Sequence, residues 1–230
     1  MSGTGPAQPS FLFDLDGTLV DSVYQHVVAW REALEGVGIN LPVWKIHRRI
    51  GMSGGLFVTA LARELDTELD RDILGTLPAL HADAYMRHFH SVRPLPGAIE
   101  LLSTLRENGV QWAIATSGAE RSARPALDLL GVGPDMPVVT RDQVRYAKPD
   151  PDLFLTAAER IGVDVSDSIV VGDSVWDLLA ARRARAALGI GVLSGGYGRE
   201  ELIYSGAFRV YEDPHDLLNH LDEVGVRRRL

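Results

Sequence analysis

The sequence contains no cysteine, and this absence excludes several kinds of chemistry. Disulfides, zinc sites built on thiolates and cysteine nucleophiles all need the sulfur atom, so none of them is available. Lysine is almost absent as well, since Lys45 and Lys148 are the only lysines among 23 basic residues. Any chemistry that requires a lysine ammonium must therefore use one of these two. The lack of cysteine fits a reducing compartment, and we expect a cytoplasmic protein.

Long apolar runs and an excess of positive charge are missing too. No stretch approaches the roughly 20 apolar residues of a membrane-spanning helix, so the sequence predicts no membrane partner. The formal net charge is −8, which disfavours nucleic-acid binding because the phosphate backbone is itself negative. Residues 1–10 are rich in Gly, Pro, Ser and Thr and lack the apolar centre of a signal peptide, so they are predicted to form a flexible tail.

Short apolar runs alternate with helical patterns over most of the 230 residues. The runs predict buried parallel strands at residues 11–13, 112–115, 168–171 and, more weakly, 136–140 and 189–193. The segments between them repeat apolar residues at helical spacing and end at a glycine, at residues 96–108, 122–130, 150–161 and 176–187. This alternation predicts an α/β fold with a Rossmann-like, doubly wound parallel sheet.

One long segment interrupts this alternation. It contains several helical patterns, a glycine-rich stretch at residues 51–55 and no convincing strand. We therefore predict an all-helical insertion that follows the first strand. The predicted organisation is a tail of residues 1–10, an α/β core of residues 11–21 and 93–230, and a helical insertion of residues 22–92.

Two carboxylates follow the first predicted strand directly. Asp14 and Asp16 point the same way in an extended chain, because side chains repeat every second residue. Two like charges in a dry site need a cation or a proton beside them. The pair therefore indicates metal binding or acid–base chemistry. The alternative without chemistry is a strand that ends in an ordinary Asp-Gly turn.

Polar residues follow the other predicted strands as well. They are Thr116, Ser117 and Gly118 after the second strand, Lys148 in the loop after the 136–140 run, and Asp173 and Asp177 after the 168–171 run. Ligands of open parallel sheets bind outside the carboxyl ends of the strands, so these clusters are predicted to face one crevice. That convergence favours a functional site over isolated turns.

The residue types of this crevice suit a metal ion and a phosphoryl group. Asp14, Asp16 and Asp173 offer hard oxygen ligands, which fit Mg²⁺ better than zinc. A carboxylate can also act as a nucleophile, as it does in aspartyl-phosphate enzymes. The hydrogen-bond donors available to phosphoryl oxygens are Thr116, Ser117 and the amides of Gly17 and Gly118, with Lys148 as the counter-charge.

As a set, these motifs resemble those of the haloacid dehalogenase superfamily. The matching residues are Asp14-Leu15-Asp16-Gly17-Thr18, Thr116-Ser117-Gly118, Lys148-Pro149 and Gly172-Asp173-Ser174 with Asp177. The resemblance spans residues 11–220, and the helical insertion is similar to the C1 cap of the subgroup with phosphoglycolate phosphatases and β-phosphoglucomutases. It implies an Mg²⁺-dependent phosphoric monoester hydrolase that acts on a small phosphorylated metabolite, with the insertion as a cap over the site.

The resemblance also implies a role for each residue. Asp14 would attack phosphorus to form an aspartyl-phosphate, and Asp16 would protonate the leaving oxygen and then activate water. Lys148 would anchor Asp14 and the phosphate. Mg²⁺ would be held by Asp14, Asp173 and the backbone carbonyl of Asp16, with support from Asp177. Thr116 would be catalytic by bonding the transferring phosphoryl group, with further phosphate contacts from Gly17, Thr18, Ser117 and Gly118.

Two alternatives to hydrolysis stay open. A sugar phosphomutase of the β-phosphoglucomutase type would carry a histidine at the position of His26, but phosphatases of the subgroup carry one as well. Such mutases have basic residues at the positions of Ile50 and Gly54, which this chain lacks. A non-catalytic binding protein is the alternative of another class, and the complete set of catalytic residues argues against it. The sequence does not indicate an oligomeric state.

Polar residues of the insertion give weaker signals. His26 and Arg49 are predicted to bind substrate, since a guanidinium suits a carboxylate or a second phosphate. For Arg48 and Arg49 a solvated helix face is the alternative, and the glycine-rich stretch is either a specificity loop or a helix break. Three histidines are expected on a solvated or half-buried helix face rather than in a metal site: His81, His88 and His90.

Overall fold

A six-stranded parallel sheet forms the centre of the protein in the computed structural model, which describes residues 8–64 and 71–227. Its strands are β1 (Ser10–Phe13), β4 (Trp112–Ala115), β5 (Val138–Val139), β6 (Ser168–Gly172), β7 (Leu188–Val192) and β8 (Arg209–Tyr211). Two further short strands, β2 (Val20–Asp21) and β3 (Arg93–Pro94), pair with each other in antiparallel fashion. In space the sheet order is β5-β4-β1-β6-β7-β8, so the first strand lies between two later ones.

Ten helices are found in the described residues. They are α1 (Val23–Gly36), α2 (Val43–His47), α3 (Gly54–Glu64), α4 (Arg71–His88), α5 (Ala98–Glu107), α6 (Glu120–Leu129), α7 (Asp152–Ile161), α8 (Val175–Ala184), α9 (Arg199–Ser205) and α10 (Pro214–Asn219). Short 3₁₀ turns cover Phe89–Ser91, Arg141–Gln143, Val165–Asp167, Leu193–Gly195 and Leu221–Val224. None of the helices in the described ranges combines the length and hydropathy needed to span a membrane.

Alternate residues of each central strand enter opposite layers of the core. Phe11 and Phe13 pack on one face with α5, α6 and α10, whereas Leu12 packs on the other face with α7 and α8. Helices therefore cover both faces of the sheet, which confirms the predicted doubly wound α/β fold. Because each strand is buried on both sides, its sequence is a continuous apolar run rather than an alternating one.

The helices α1 to α4 form the predicted insertion. They pack around a separate apolar cluster, which includes Trp30 and Phe57. The chain leaves the sheet through β2 and returns through β3, where Asp21 pairs with Arg93. The expected boundaries between residues 11–21, 22–92 and 93–230 fall at this strand pair, and the division into a core and a cap domain stays a prediction.

The structure corrects the prediction at three points. Of the expected tail, residues 1–7 lie outside the described residues, while Ser10 belongs to β1 and Gln8 donates a hydrogen bond to the Asn108 carbonyl (3.2 Å). Helix α8 ends at Ala184 rather than near Gly189, because Arg185 adopts the left-handed conformation with φ +60°. Strand β8 was not predicted, since its residues Arg209, Val210 and Tyr211 do not form an apolar run.

The two-sided burial of β1 leads to a stability prediction. Leu12 is fully buried, so we expect Leu12→Ala to lower the free energy of unfolding by about 2–5 kcal/mol through lost contacts and a residual cavity. Leu155 in α7 is 41% exposed, and Leu155→Ala serves as the matched control with a smaller loss. Urea denaturation measures both, and an equal loss in the two variants would contradict the assigned burial.

Candidate active site

Three neighbouring strands bring the predicted motifs together. Asp14 follows β1, Thr116 follows β4 and Asp173 follows β6, and β1 lies between the other two strands. All three side chains are buried. Because parallel strands end at the same edge of the sheet, residues separated by more than a hundred positions in the sequence meet there.

Lys148 is the centre of the charged cluster. Its side chain is fully buried, and its ammonium donates to the carboxylate of Asp14. The ammonium also lies 2.8 Å from Asp177 Oδ1. One buried cation therefore contacts two buried carboxylates, with Asp173 close by. An ion taken out of water is stable only when such partners replace its hydration.

The pKa values follow from this burial. Burial raises the pKa of Asp14 to about 7, although the Lys148 ammonium acts in the opposite direction. The pKa of Asp173 also lies well above its usual range, because burial is reinforced by the charges of Asp177 and Asp14. Burial opposes the charged form of Lys148, but the two carboxylates outweigh it and raise the pKa of Lys148. The cluster has more acidic groups than a single ammonium can neutralise.

The cluster fits a hard divalent cation. Asp14, Asp173 and Asp177 each offer an oxygen, and these oxygens lie within 4.8 Å of one another. No thiol or imidazole belongs to this group among the described residues, so its donor set suits Mg²⁺ rather than zinc. The side chain of Asp16 does not belong to the group, and ligation through its backbone carbonyl stays a prediction.

Two close backbone approaches fix the carboxylate of Asp173. A Cβ atom added to Gly195 would lie 1.7 Å from Asp173 Oδ2, and one added to Gly17 would lie 2.6 Å from it. The Thr18 hydroxyl donates to Asp173 Oδ1 (3.1 Å), and the Gly17 amide donates to the Val20 carbonyl (2.8 Å). Gly17 and Thr18 therefore shape the acidic cluster, and their contact with a phosphate stays a prediction.

Asp177 has a second set of contacts. Its Oδ2 accepts from the Ser174 hydroxyl and from the Ser174 amide, in a capping box that opens α8. A Cβ atom on Gly172 would lie 2.3 Å from the Cβ of Asp177, so only glycine fits there. The position of Asp177 is therefore set by the helix start and by Lys148, and its support of a metal stays a prediction.

Asp16 is held apart from the acidic cluster. Its Oδ1 accepts from the Ser22 hydroxyl (2.6 Å) and lies 3.1 Å from His26 Nε2. Burial raises the pKa of Asp16, but His26 and Ser22 together lower it below its usual range. The two carboxylates of the first motif thus have different surroundings, one beside a buried ammonium and the other beside a histidine and a hydroxyl.

His26 connects Asp16 to the helical insertion. Its Nδ1 lies 3.1 Å from His81 Nε2, and its ring stacks on Tyr85 at 3.9 Å between centroids. His81 in turn stacks on Trp30 at 4.2 Å. Burial and the neighbouring His26 lower the pKa of His81 well below its usual range. Sequence reasoning did not place His81 at the site, because the contact joins two helices far apart in the chain.

A cavity of about 540 Å³ lies between the strand ends and the helical insertion. From the core it is lined by Asp14, Asp16, Thr116, Ser117, Gly118, Ala119, Ser122, Arg141 and Asp142. From the insertion it is lined by His26, Trp30, Ile50, Gly51, Met52, Gly54, Gly55, Pro78, His81 and Ala82. The glycine-rich stretch 51–55 therefore contributes to the cavity wall, as the specificity-loop alternative expects.

Ser117 offers a free donor at the cavity floor. Its hydroxyl is buried and has no hydrogen-bond partner among the described residues. The Gly118 amide, in contrast, donates to Thr116 Oγ1 (2.9 Å), so this amide is already engaged although Gly118 lines the cavity. A buried hydroxyl without a partner is costly, and a phosphoryl oxygen in the cavity would satisfy it.

Arg49, which was predicted to bind substrate, has other partners in the structure. Its guanidinium donates to Glu64 and to the Lys45 carbonyl (2.7 Å), and Arg49 is not among the described residues that line the cavity. Arg48 pairs with Glu201 and lies over the Tyr197 ring. Both guanidiniums are thus engaged in ion pairs, and the binding of substrate by Arg49 stays a prediction that these contacts do not support.

The fold and the site define an α/β protein with a buried aspartate–lysine centre beneath a helical insertion. Comparison with known protein families shows the family to which this chain belongs. The model of the haloacid dehalogenase-like hydrolases matches residues 10–185. A phosphoglycolate phosphatase of Agrobacterium fabrum is 32% identical over 197 residues, which cover 83% of this chain and 82% of the relative. The chain belongs to the haloacid dehalogenase-like hydrolase family.

Two further comparisons extend this relationship. Hexitol phosphatase A of Escherichia coli is 33% identical over 177 residues, which cover 76% of this chain and 78% of the relative. The crystal structure of a hydrolase from Pseudomonas syringae has a TM-score of 0.92 and 53% sequence identity. That superposition covers 95% of this chain and 100% of the other one. The family predicted from the four motifs is confirmed.

The raised pKa values lead to a prediction for the metal-free protein. Folded Asp14 and Asp173 bind protons that the unfolded chain has already released, so stability from these groups falls as pH rises from about 4 to about 7. Each unit of raised pKa corresponds to about 1.4 kcal/mol. In EDTA, urea denaturation between these pH values should show a smaller fall for Asp173→Asn than for the wild type.

Magnesium should reverse this dependence. Its ligands must lose their protons, so added Mg²⁺ should stabilise the wild type more at pH 7.5 than at pH 5. Parallel pH curves for the wild type and Asp173→Asn, with no effect of Mg²⁺ on either, would contradict the assigned electrostatics.

Proposed function

We propose that the protein is a phosphatase that hydrolyses the phosphate monoester of a small metabolite through an aspartyl-phosphate at Asp14. The observation that carries this proposal is the pairing of the Asp14 carboxylate with buried Lys148 at the floor of a cavity that Asp16 also lines. The curated relatives that are named phosphatases support the same class of reaction.

Covalent catalysis divides the hydrolysis into two displacements. An Asp14 oxygen attacks phosphorus, the bond from phosphorus to the ester oxygen breaks, and the alcohol leaves with a proton from Asp16. Water then attacks the aspartyl-phosphate, gives its proton to Asp16 and releases inorganic phosphate. Both steps need alignment and charge neutralisation more than any other effect, since the transferring group carries its charge on its oxygens.

Each neighbouring side chain has a place in this scheme. Lys148 orients Asp14 and favours its ionised form, and Thr116 and Ser117 donate hydrogen bonds to phosphoryl oxygens. The acidic cluster of Asp14, Asp173 and Asp177 would hold Mg²⁺, which supplies further neutralisation of the phosphoryl charge when bound. The backbone carbonyl of Asp16 is the remaining ligand that the family resemblance implies.

Asp16 must gain a proton before it can act as an acid. Its pKa lies below the usual range in the absence of substrate, because His26 and Ser22 stabilise the carboxylate. A phosphate dianion beside Asp16 raises the pKa of that carboxyl through like-charge repulsion. Protonation of Asp16 is thereby linked to substrate binding, which suits a group that acts as acid first and as base afterwards.

The phosphomutase alternative is less well supported than hydrolysis. A mutase must hold a substrate with phosphates at both ends, and the cavity positions of Ile50 and Gly54 carry no charge. Guanidinium or ammonium groups at such positions are the usual means of binding a second phosphate. The cavity therefore favours water over a second sugar phosphate as the acceptor.

The central prediction concerns the two carboxylates of the first motif. With p-nitrophenyl phosphate and Mg²⁺, Asp14→Asn should abolish phosphate release, and Asp16→Asn should lower kcat by about 10²–10⁴ through loss of general acid–base catalysis. Asp128→Asn, at an exposed carboxylate of α6, is the matched control and should retain activity. EDTA should stop the reaction and Mg²⁺ should restore it. Undiminished turnover by Asp14→Asn would refute the proposed mechanism.

A further inference from the structure

We propose that the cavity selects a phosphate monoester whose leaving group is a neutral polyhydroxy alcohol, such as a sugar or a sugar alcohol. A leaving group with a carboxylate or a second phosphate is disfavoured. This inference rests on the proposed phosphatase function and concerns the substrate of the same site. The names of the two curated relatives do not decide between these classes, since both are about equally similar to this chain.

The wall that the insertion contributes is largely apolar, with His26 and His81 as its polar side chains. The insertion contributes Trp30, Ile50, Met52 and Pro78 to the cavity. The Trp30 ring is fixed between Phe57 at 4.1 Å and His81 at 4.2 Å, so it presents a rigid surface. Such walls pack against the carbon skeleton of a ligand, while a few polar groups fix its orientation.

The basic residues that precede the glycine-rich stretch 51–55 already form ion pairs with glutamates. Lys45 and Arg49 both bind Glu64, and Arg48 binds Glu201 while its guanidinium lies 4.2 Å from the Tyr197 ring centre. None of the three lines the cavity. Moving one of them to a substrate anion would break an existing ion pair, which reduces the gain from the new contact.

Arg141 is the one arginine on the cavity wall among the side chains that the structure describes. Its Nη1 donates to the Val144 carbonyl (2.8 Å), and its neighbour Asp142 also lines the cavity. Asp142 Oδ2 accepts from the Glu120 amide (2.8 Å). The two opposite charges give this rim no net positive charge, but they provide a donor and an acceptor for hydroxyl groups.

Two histidines are the remaining polar side chains that the insertion contributes to the cavity wall. His26 Nε2 is already paired with the Asp16 carboxylate (3.1 Å), and His81 Nε2 lies 3.1 Å from His26 Nδ1, so the imidazoles offer hydrogen bonds to hydroxyl groups rather than an unpaired cation. The volume of about 540 Å³ lies within the range of clefts that hold ligands much larger than a two-carbon acid. The volume of the cavity, its largely apolar wall and polar groups that already have partners all favour a polyhydroxy alcohol.

Two matched pairs of substrates test the proposal. The first pair is 2-hydroxyethyl phosphate and phosphoglycolate. The former has a hydroxymethyl group where the latter has a carboxylate. The second is sorbitol 6-phosphate against sorbitol 1,6-bisphosphate. We expect kcat/KM for the neutral member to exceed that of the charged member by about tenfold or more, equivalent to about 1.4 kcal/mol. Equal or greater kcat/KM for the charged members would overturn the inference.

Failure of this inference differs from failure of the proposed function. An enzyme that prefers phosphoglycolate would still be a phosphatase, whereas an enzyme that hydrolyses none of the four esters and no p-nitrophenyl phosphate would contradict both. The comparison of kcat/KM within each pair also removes effects on the phosphoryl site, because both members share that group.

A cation placed in the wall should shift the preference. Gly55 lines the cavity, and a Cβ atom there would meet nothing within 4 Å, so a long side chain has room. Relative to Gly55→Met, which adds bulk alone, Gly55→Arg should raise kcat/KM for phosphoglycolate by about fivefold or more, with little change for sorbitol 6-phosphate. An unchanged ratio between the two substrates would contradict the claim that a missing cation sets the preference.

Arg141→Gln provides the opposing test. If the leaving group is neutral, this substitution should change the ratio of kcat/KM between phosphoglycolate and 2-hydroxyethyl phosphate by less than about twofold, whatever its effect on both rates. A selective loss of about tenfold for phosphoglycolate would identify Arg141 as a carboxylate-binding residue and would overturn the proposal.

Discussion

The buried ammonium of Lys148 is the interaction on which the site depends. It contacts Asp14 and Asp177, and without it the described carboxylates would lie together with no neutralising partner. A charged group in a protein interior needs such partners, since the cost of removing it from water amounts to several kcal/mol. The same contact holds the nucleophile, limits the rise in the pKa of Asp14 and leaves the excess negative charge that a divalent cation can balance. The stability of the fold, the proposed binding of a metal and the proposed catalysis therefore all depend on the same charged side chains.

The sheet and the main chemical residues could be predicted because their signals are local. Apolar runs identified five of the six central strands, and polar residues of the site directly follow three of these runs, at residues 11–13, 112–115 and 168–171. Once the sheet is parallel, the meeting of Asp14, Thr116 and Asp173 follows from topology alone. The edge strand β8 and the end of α8 before Arg185 were not predicted. Neither is marked in the sequence by an apolar run or by a glycine.

The contacts of the insertion could not be read from the sequence in the same way. Arg49 and Glu64 are 15 positions apart, and His26 and His81 are 55 positions apart. Only the packing of α1 to α4 decides which of them meet. An arginine near a predicted site can bind a substrate or a glutamate, and the residue type is the same in both cases. The proposed substrate preference therefore depends on these tertiary contacts, whereas the class of reaction can be predicted from the sequence motifs.

The stereochemical course of the reaction at phosphorus tests the central claim most directly. Two successive displacements, the first by Asp14 and the second by water, return phosphorus to its original configuration. We therefore predict that hydrolysis of p-nitrophenyl phosphorothioate, made chiral at phosphorus with two oxygen isotopes and hydrolysed in water that carries the third, proceeds with net retention. Net inversion would mean that water attacks the ester in a single step, and it would contradict the role of Asp14 as the nucleophile held by Lys148.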